Sequence, residues 1–111
     1  FGTLIGNTDM HPGNLSFISP AGHPYALAPA YDMTPMAFAP RSGGGLPDSL
    51  PEARLDASVD NQTWRDAAHL ARLFLDRIQS ETRFSERFQA CIGALVRHLE
   101  IAAGGIERLG Y

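Results

Sequence analysis

The sequence has no lysine. All nine of its basic residues are arginines, which excludes a Walker A loop, a Schiff-base lysine and any lysine–phosphate contact supplied by this segment. Cysteine is almost as scarce. The single Cys91 excludes an internal disulfide framework and a cysteine-based zinc finger. Its neighbours Ala90, Ile92, Ala94 and Leu95 predict a small buried core residue rather than a reactive thiol. No apolar run approaches the length of a membrane span, and no charged n-region with a following h-region is present. The expectation is therefore no membrane contact and a cytoplasmic setting. Positive charge is also short: nine basic against twelve acidic residues give a net charge of -3 and a pI of about 5.7. That balance argues against gripping nucleic acid by bulk charge.

Proline is missing from one half only, and this organises the chain. All eight prolines lie between Pro12 and Pro51, and seven of the eleven glycines fall in the first 51 residues. From Arg54 onward there is no proline, and eight of the nine arginines sit there. Proline cannot continue a helix interior or a central strand, so the first half is predicted as loops and short strands and the second as helix. With 111 residues, 44% of them hydrophobic and 19% charged, the chain suits one globular domain, taken as residues 1–111. No internal repeat is visible.

In the first half, Leu15 to Ile18 and Tyr25 to Ala28 are short apolar runs around the turn Pro20 to Pro24, which predicts a small β-hairpin. Arg41 to Pro51, with three consecutive glycines, reads as the most mobile part of a flexible loop over 37–58. A helical scaffold over 59–111 follows. Its first helix is predicted from about Asn61 to Ile78, capped by Asp60 or Asn61, with Trp64, Ala67, Ala68, Ala71, Phe74, Leu75 and Ile78 forming one apolar face. The second is predicted from about Ser85 to Ala103, with Phe88, Cys91, Ile92, Leu95, Leu99 and Ala102 on one face, and Gly104-Gly105 stopping it. Arginines from Arg65 to Arg108 alternate with acidic residues, which reads as a mixed-sign solvated face. His69 and His98 are expected at or near the surface.

The chemistry is expected in Asn7-Thr8-Asp9-Met10-His11-Pro12-Gly13-Asn14, just ahead of the first apolar run. A capped turn satisfies the same composition, since Asp, Asn and Gly are ordinary turn residues. The spacing points instead to a chemical role. Asp9 and Asn14 lie five apart, and Asp32 follows Asn14 by eighteen residues, after the hairpin. Phosphoryl transfer from Mg-ATP needs a carboxylate to orient the attacking hydroxyl, and a carboxylate and an amide oxygen to hold magnesium. The order Asp-x4-Asn, hairpin, Asp is the one used by the protein-kinase template.

LIGNTDMHPGNLSF followed by YALAPAYDMTPM resembles the catalytic segment of HipA-like serine/threonine kinases, the toxin kinases of bacterial toxin–antitoxin modules. That family shows Asn-x-Asp-x-His-x-x-Asn-x-Ser and then Leu-Ala-Pro-x-Tyr-Asp, met here as Asn7 to Ser16 and Leu27 to Asp32. The resemblance implies a mainly α chain with a small hairpin, the C-terminal lobe portion of a protein-kinase-like fold. It implies Asp9 as catalytic base and Asn14 and Asp32 as magnesium ligands, with His11 beside them at the cofactor. Mg2+ and ATP are the implied cofactors. A protein serine or threonine is the implied acceptor, and a DNA-binding antitoxin the implied partner, which makes any link to transcription indirect.

Two departures stand out. Gly13 replaces the lysine that family members often carry before the Asn. The chain also opens only a few residues ahead of the motif, so the phosphate-covering loop and the ATP-contacting lysine are expected upstream of Phe1. Alone, the segment is expected to bind Mg-ATP weakly or not at all and to phosphorylate nothing. Asp9 to Asn14 is also similar to the core of aminoglycoside and choline phosphotransferases. There, however, His-Gly precedes the Asp, and the later Asp sits in an Ile-Asp-aromatic context. A kinase-like module that has lost activity and acts by binding is the alternative of another class. The discriminating expectation is that Asp9, Asn14 and Asp32 converge. His11 with His23 lacks a third zinc ligand at a convincing spacing and reads as a loop-bonding histidine. Met10, Met33 and Met36 read as packing, Tyr31 as a brace for the backbone before Asp32 or as core, and Ser16 as a packed strand residue.

Overall fold

From Asn61 onward the proline-free sequence forms two long helices. The computed structural model describes residues 1–47 and 50–109. In chain order they form α1 (Gly2–Ile5), β1 (Phe17–Ile18), β2 (Ala26–Leu27), α2 (Asn61–Ser80) and α3 (Glu86–Arg108), with 3-10 turns at Pro12–Asn14 and Met36–Phe38. The chain is thus mainly helical with one small hairpin, as its composition predicts. No helix among the described residues is long and apolar enough to cross a membrane.

Of the two capping residues that the sequence offers α2, the structure selects Asp60. Its carboxylate accepts from the Thr63 backbone N–H at 2.9 Å and from the Thr63 hydroxyl at 2.6 Å. These bonds, the hydroxyl first, hold the Asp60 carboxyl below its ordinary range. Trp64, Ala67, Ala68, Ala71 and Leu75 are buried on the predicted face. They pack on Ala94, Leu95, Leu99, Ala102 and Ile106 of α3. Cys91 is buried, and burial pushes its thiol pKa up, as suits an unreactive core residue.

Two expectations about α3 are corrected. Gly104-Gly105 does not end it, and the helix continues to Arg108. The glycines cost helix propensity, about 1 kcal/mol each relative to alanine. Packing offsets this: a β-carbon on Gly105 would lie 3.1 Å from Leu55 Cδ1, so the missing side chain is where segment 50–59 lies against the helix. His98 is not a surface residue either. It is buried, with Nε2 3.2 Å from the Thr3 carbonyl oxygen and its ring edge-to-face with Phe38 at 5.1 Å.

Those contacts hold α1, a helical turn that the sequence did not suggest. Its Leu4 and Ile5 are completely buried against α2 and α3. Gly6 closes the turn at φ 75°, a left-handed conformation. A β-carbon there would also come within 2.4 Å of Phe38 Cε2. The segment expected as a flexible loop, 37–58, carries buried Phe38 and lays Leu46, Leu50, Ala53 and Leu55 on the core. Trp64 Nε1 ties it to α2 by donating to the Asp56 carbonyl at 3.2 Å. Asp48 and Ser49 of that loop lie outside the described residues.

The hairpin is shorter than the two apolar runs, pairing only Phe17 with Leu27 and Ile18 with Ala26. It packs on none of the helices, and Phe17 and Leu27 are 66% and 61% exposed. The radius of gyration, 15.9 Å, exceeds the roughly 13 Å expected for a compact chain of this length. The hairpin stands off the helical body as an arm.

Candidate active site

The site is built where α1 ends. Leu4 and Ile5 anchor the turn in the core, the Asn7 N–H donates to the Gly2 carbonyl at 2.9 Å, and the Ala37 N–H donates to the Gly6 carbonyl at 3.0 Å. Asn7 is the first residue of the polar stretch, and it is only 6% exposed. A buried amide needs partners on both sides, and it has them. Asn7 Oδ1 accepts from the Asp9 N–H at 2.9 Å, while Nδ2 donates to the Asp32 carbonyl at 3.0 Å and reaches Met33 Sδ at 3.6 Å. One side chain therefore joins the loop that carries Asp9 to the segment that carries Asp32.

The five-residue spacing has a local cause. Pro12 starts a 3-10 turn, a position that suits its fixed φ and missing N–H. The turn brings Asn14 back over the loop, where its Nδ2 donates to the Asp9 carbonyl at 3.0 Å. Asn14 Oδ1 accepts no hydrogen bond among the described residues. The Asp32 carboxylate likewise has no hydrogen bond or ion pair among them. Asp32 itself adopts φ 55°, the only positive value on a described residue other than glycine. Aspartate tolerates this left-handed conformation better than most residues, and such strain concentrates at functional sites.

Asn14 and Asp32 line the same cavity, of about 350 Å³, together with Asn7, His11, Ser16 and Tyr31. Asp9 is exposed beside this cavity and is not part of its wall. His11 lies with Nε2 3.9 Å from Asp9 Oδ2, too long for a hydrogen bond but close enough for a charge contact when the ring is protonated. A β-carbon on Gly13 would meet His11 Nδ1 at 2.8 Å. The His11 imidazole thus lies against the bare backbone of Gly13. His23 is taken up differently, its ring tilted against that of Tyr25 with centroids 4.2 Å apart.

Among the described residues no three His, Cys, Asp or Glu side chains gather as a metal site. Asn14 and Asp32 instead offer one amide oxygen and one carboxylate, both hard donors. That fits Mg2+, which takes one or two protein carboxylates and fills its octahedron with water and substrate phosphates. The pair lacks the imidazole and thiolate ligands around which zinc sites are built.

Sequence reasoning gave Asn7 no role of its own. Its signal was present in retrospect, as an asparagine directly after a buried apolar turn. Of the two readings of Tyr31, as core or as a brace for the backbone before Asp32, exposure removes the first, and the hydroxyl ties that backbone to the loop of Asn14. Its exposed hydroxyl donates to the Gly13 carbonyl at 2.9 Å and lies 3.1 Å from Ser16 Oγ. Ser16 is exposed and precedes the strand rather than packing within it.

The family model for the HipA-like C-terminal domain matches residues 1–100. Toxin YjjJ of Escherichia coli (strain K12) is 45% identical over 110 residues, covering 99% of this chain and 25% of that protein. The chain thus spans about a quarter of the length of the curated relative it matches. No solved structure matches.

Proposed function

From the premise that this chain belongs to the HipA-like C-terminal domain family, we propose that it is the catalytic-loop and metal-binding portion of an ATP-dependent serine/threonine kinase with a protein-kinase-like fold. The observation that carries the reading is the shared cavity of Asn14 and Asp32, whose side-chain oxygens have no protein partner among the described residues. Eighteen residues and a hairpin separate the two in sequence. A capped turn does not require that juxtaposition.

In this reading Asn14 Oδ1 and the Asp32 carboxylate hold magnesium against the ATP phosphates. When bound, Mg2+ neutralises charge on the phosphate oxygens. Asp9, exposed beside the cavity, accepts the proton of the attacking hydroxyl. Its carboxylate is reachable by a protein segment from outside, which favours a protein acceptor over a small molecule enclosed in the cavity. His11 lies beside Asp9, with Nε2 3.9 Å from Asp9 Oδ2, at the edge of the same cavity. The phosphate-covering loop and a lysine for ATP belong to other parts of the full-length protein, and a partner of the antitoxin kind goes with the toxin relationship.

The test is transfer of the γ-phosphoryl from ATP to serine or threonine by the full-length protein incubated with a cell-extract proteome, read by mass spectrometry. Transfer that requires Mg2+ and disappears in Asp9→Ala is expected. No transfer, or transfer indifferent to Asp9→Ala, overturns the reading.

A further inference from the structure

The two halves of the site are held together by few contacts, and these contacts come from two side chains. The hairpin joins residues 9–16 to residues 31–33 through the chain, but it packs on no helix and so cannot itself fix them against the body. Asn7 spans 25 residues to bond the Asp32 carbonyl and also accepts the Asp9 N–H. Tyr31 spans 18 residues to donate to the Gly13 carbonyl, and its hydroxyl also meets Ser16 Oγ. The residue before Asp32 is thus bonded to the residue before Asn14. The backbone of Asp32 itself is bonded to the side chain that also receives Asp9.

We propose that Asn7 and Tyr31 are positioning residues that set the separation of Asn14 and Asp32, and with it divalent-cation binding and the rate of phosphoryl transfer. This rests on the kinase reading above. The amide of Asn7 suits the task because one rigid plane offers both a donor and an acceptor. Aspartate keeps the acceptor and loses the donor. Asn7 also sits on the most firmly anchored turn of the first half, so it refers both functional segments to the helical core. Tyr31 works from the exposed side, where only its hydroxyl makes the bond. Small errors in such placement are costly, because donors that share a cation must keep their relative geometry to a fraction of an ångström.

Tyr31→Phe and Asn7→Asp in the full-length protein test the proposal, with Mn2+ as the probe for the cation site. Mn2+ affinity is read by electron paramagnetic resonance, kcat and the KM for ATP by phosphoryl transfer, and folding by thermal unfolding. Removing partners that orient metal ligands typically costs about 10- to 100-fold in affinity or activity. Tyr31→Phe is expected near the lower end and Asn7→Asp near the upper, with kcat falling and the unfolding midpoint of Tyr31→Phe unchanged. In metal-free protein, Tyr31→Phe is also expected to shift the Asn14 amide resonance, since the Gly13–Asn14 peptide loses its donor. Wild-type Mn2+ affinity and kcat in Tyr31→Phe overturn the proposal, and that variant decides alone if Asn7→Asp does not fold. Weakened Mn2+ binding in the variants, in a protein that transfers no phosphoryl group, upholds the positioning roles and refutes the kinase reading. Normal Mn2+ binding in the variants of an active kinase does the reverse.

Discussion

In α2 and α3 the apolar side chains at three- and four-residue steps are buried against one another, and the polar ones, His98 apart, are not buried. Between Asp9 and Asp32 the pattern is inverted. Leu15, Phe17, Ile18 and Leu27 are exposed, while the buried polar residue is Asn7, at the loop's root. The helical body is held by burial of area, and the loop by a few directional bonds that start from α1. The two should therefore respond to substitution in separate observables. Changes in the helices move stability, and changes in the loop move chemistry.

The largest separation is expected at Asp32. Asparagine tolerates its left-handed φ about as well as aspartate does, so Asp32→Asn removes the charge without adding backbone strain. Loss of general-base or ligand function is typically worth about 100- to 10,000-fold in rate. Transfer by the full-length protein is expected to fall in that range with an unchanged unfolding midpoint. Leu95→Ala tests the opposite corner. Truncating this buried leucine should cost about 3 kcal/mol of stability, seen as a lowered denaturant midpoint, with kcat retained in the molecules that stay folded.

His98→Ala is the variant that joins the two regions. It opens a space beside Phe38 and removes the partner of the Thr3 carbonyl, a change worth about 1–3 kcal/mol. Because α1 carries Asn7, hydrogen exchange in residues 7–14 should also speed up. If only the helices respond, the loop is anchored by something else. Asp60→Ala is expected to act less strongly and in a pH-dependent way. The folded-state pKa of Asp60 lies below its ordinary value of 3.8. Its stabilising contribution is then complete above that value and is lost as pH falls through the lower, folded one. Acid unfolding curves of the variant and the parent should converge at low pH and separate toward neutrality. At the other extreme, Phe17→Ser on the exposed hairpin should change stability by less than about 0.5 kcal/mol.

The same contrast explains what the sequence could disclose. The helical faces were readable because burial follows a period of 3.6, and the capping choice narrowed to Asp60 or its neighbour by residue chemistry alone. The end of α3 was misread at Gly104-Gly105 because propensity is local, whereas Leu55 settles against Gly105 from fifty residues away. His98 looked like a surface residue for the same reason, since its partners Thr3 and Phe38 lie far back in the sequence. In the site, Asp9, Asn14 and Asp32 stood out by residue type and order. Asn7 and Tyr31 did not, because a side chain whose work is to bond backbone carbonyls and N–H groups leaves no periodic or compositional signature. The packed course of 37–58 was hidden by its glycines and prolines, which forbid regular structure without forbidding burial.

The central claim is that a structurally undemanding loop carries the chemistry on a scaffold that does not take part in it. It is tested most directly by measuring Mg2+-dependent phosphoryl transfer and thermal unfolding on the same preparation of full-length Asp32→Asn. The account predicts that transfer is lost while the unfolding midpoint matches the parent within replicate scatter. Transfer at the parent's rate in a protein of unchanged stability would contradict it.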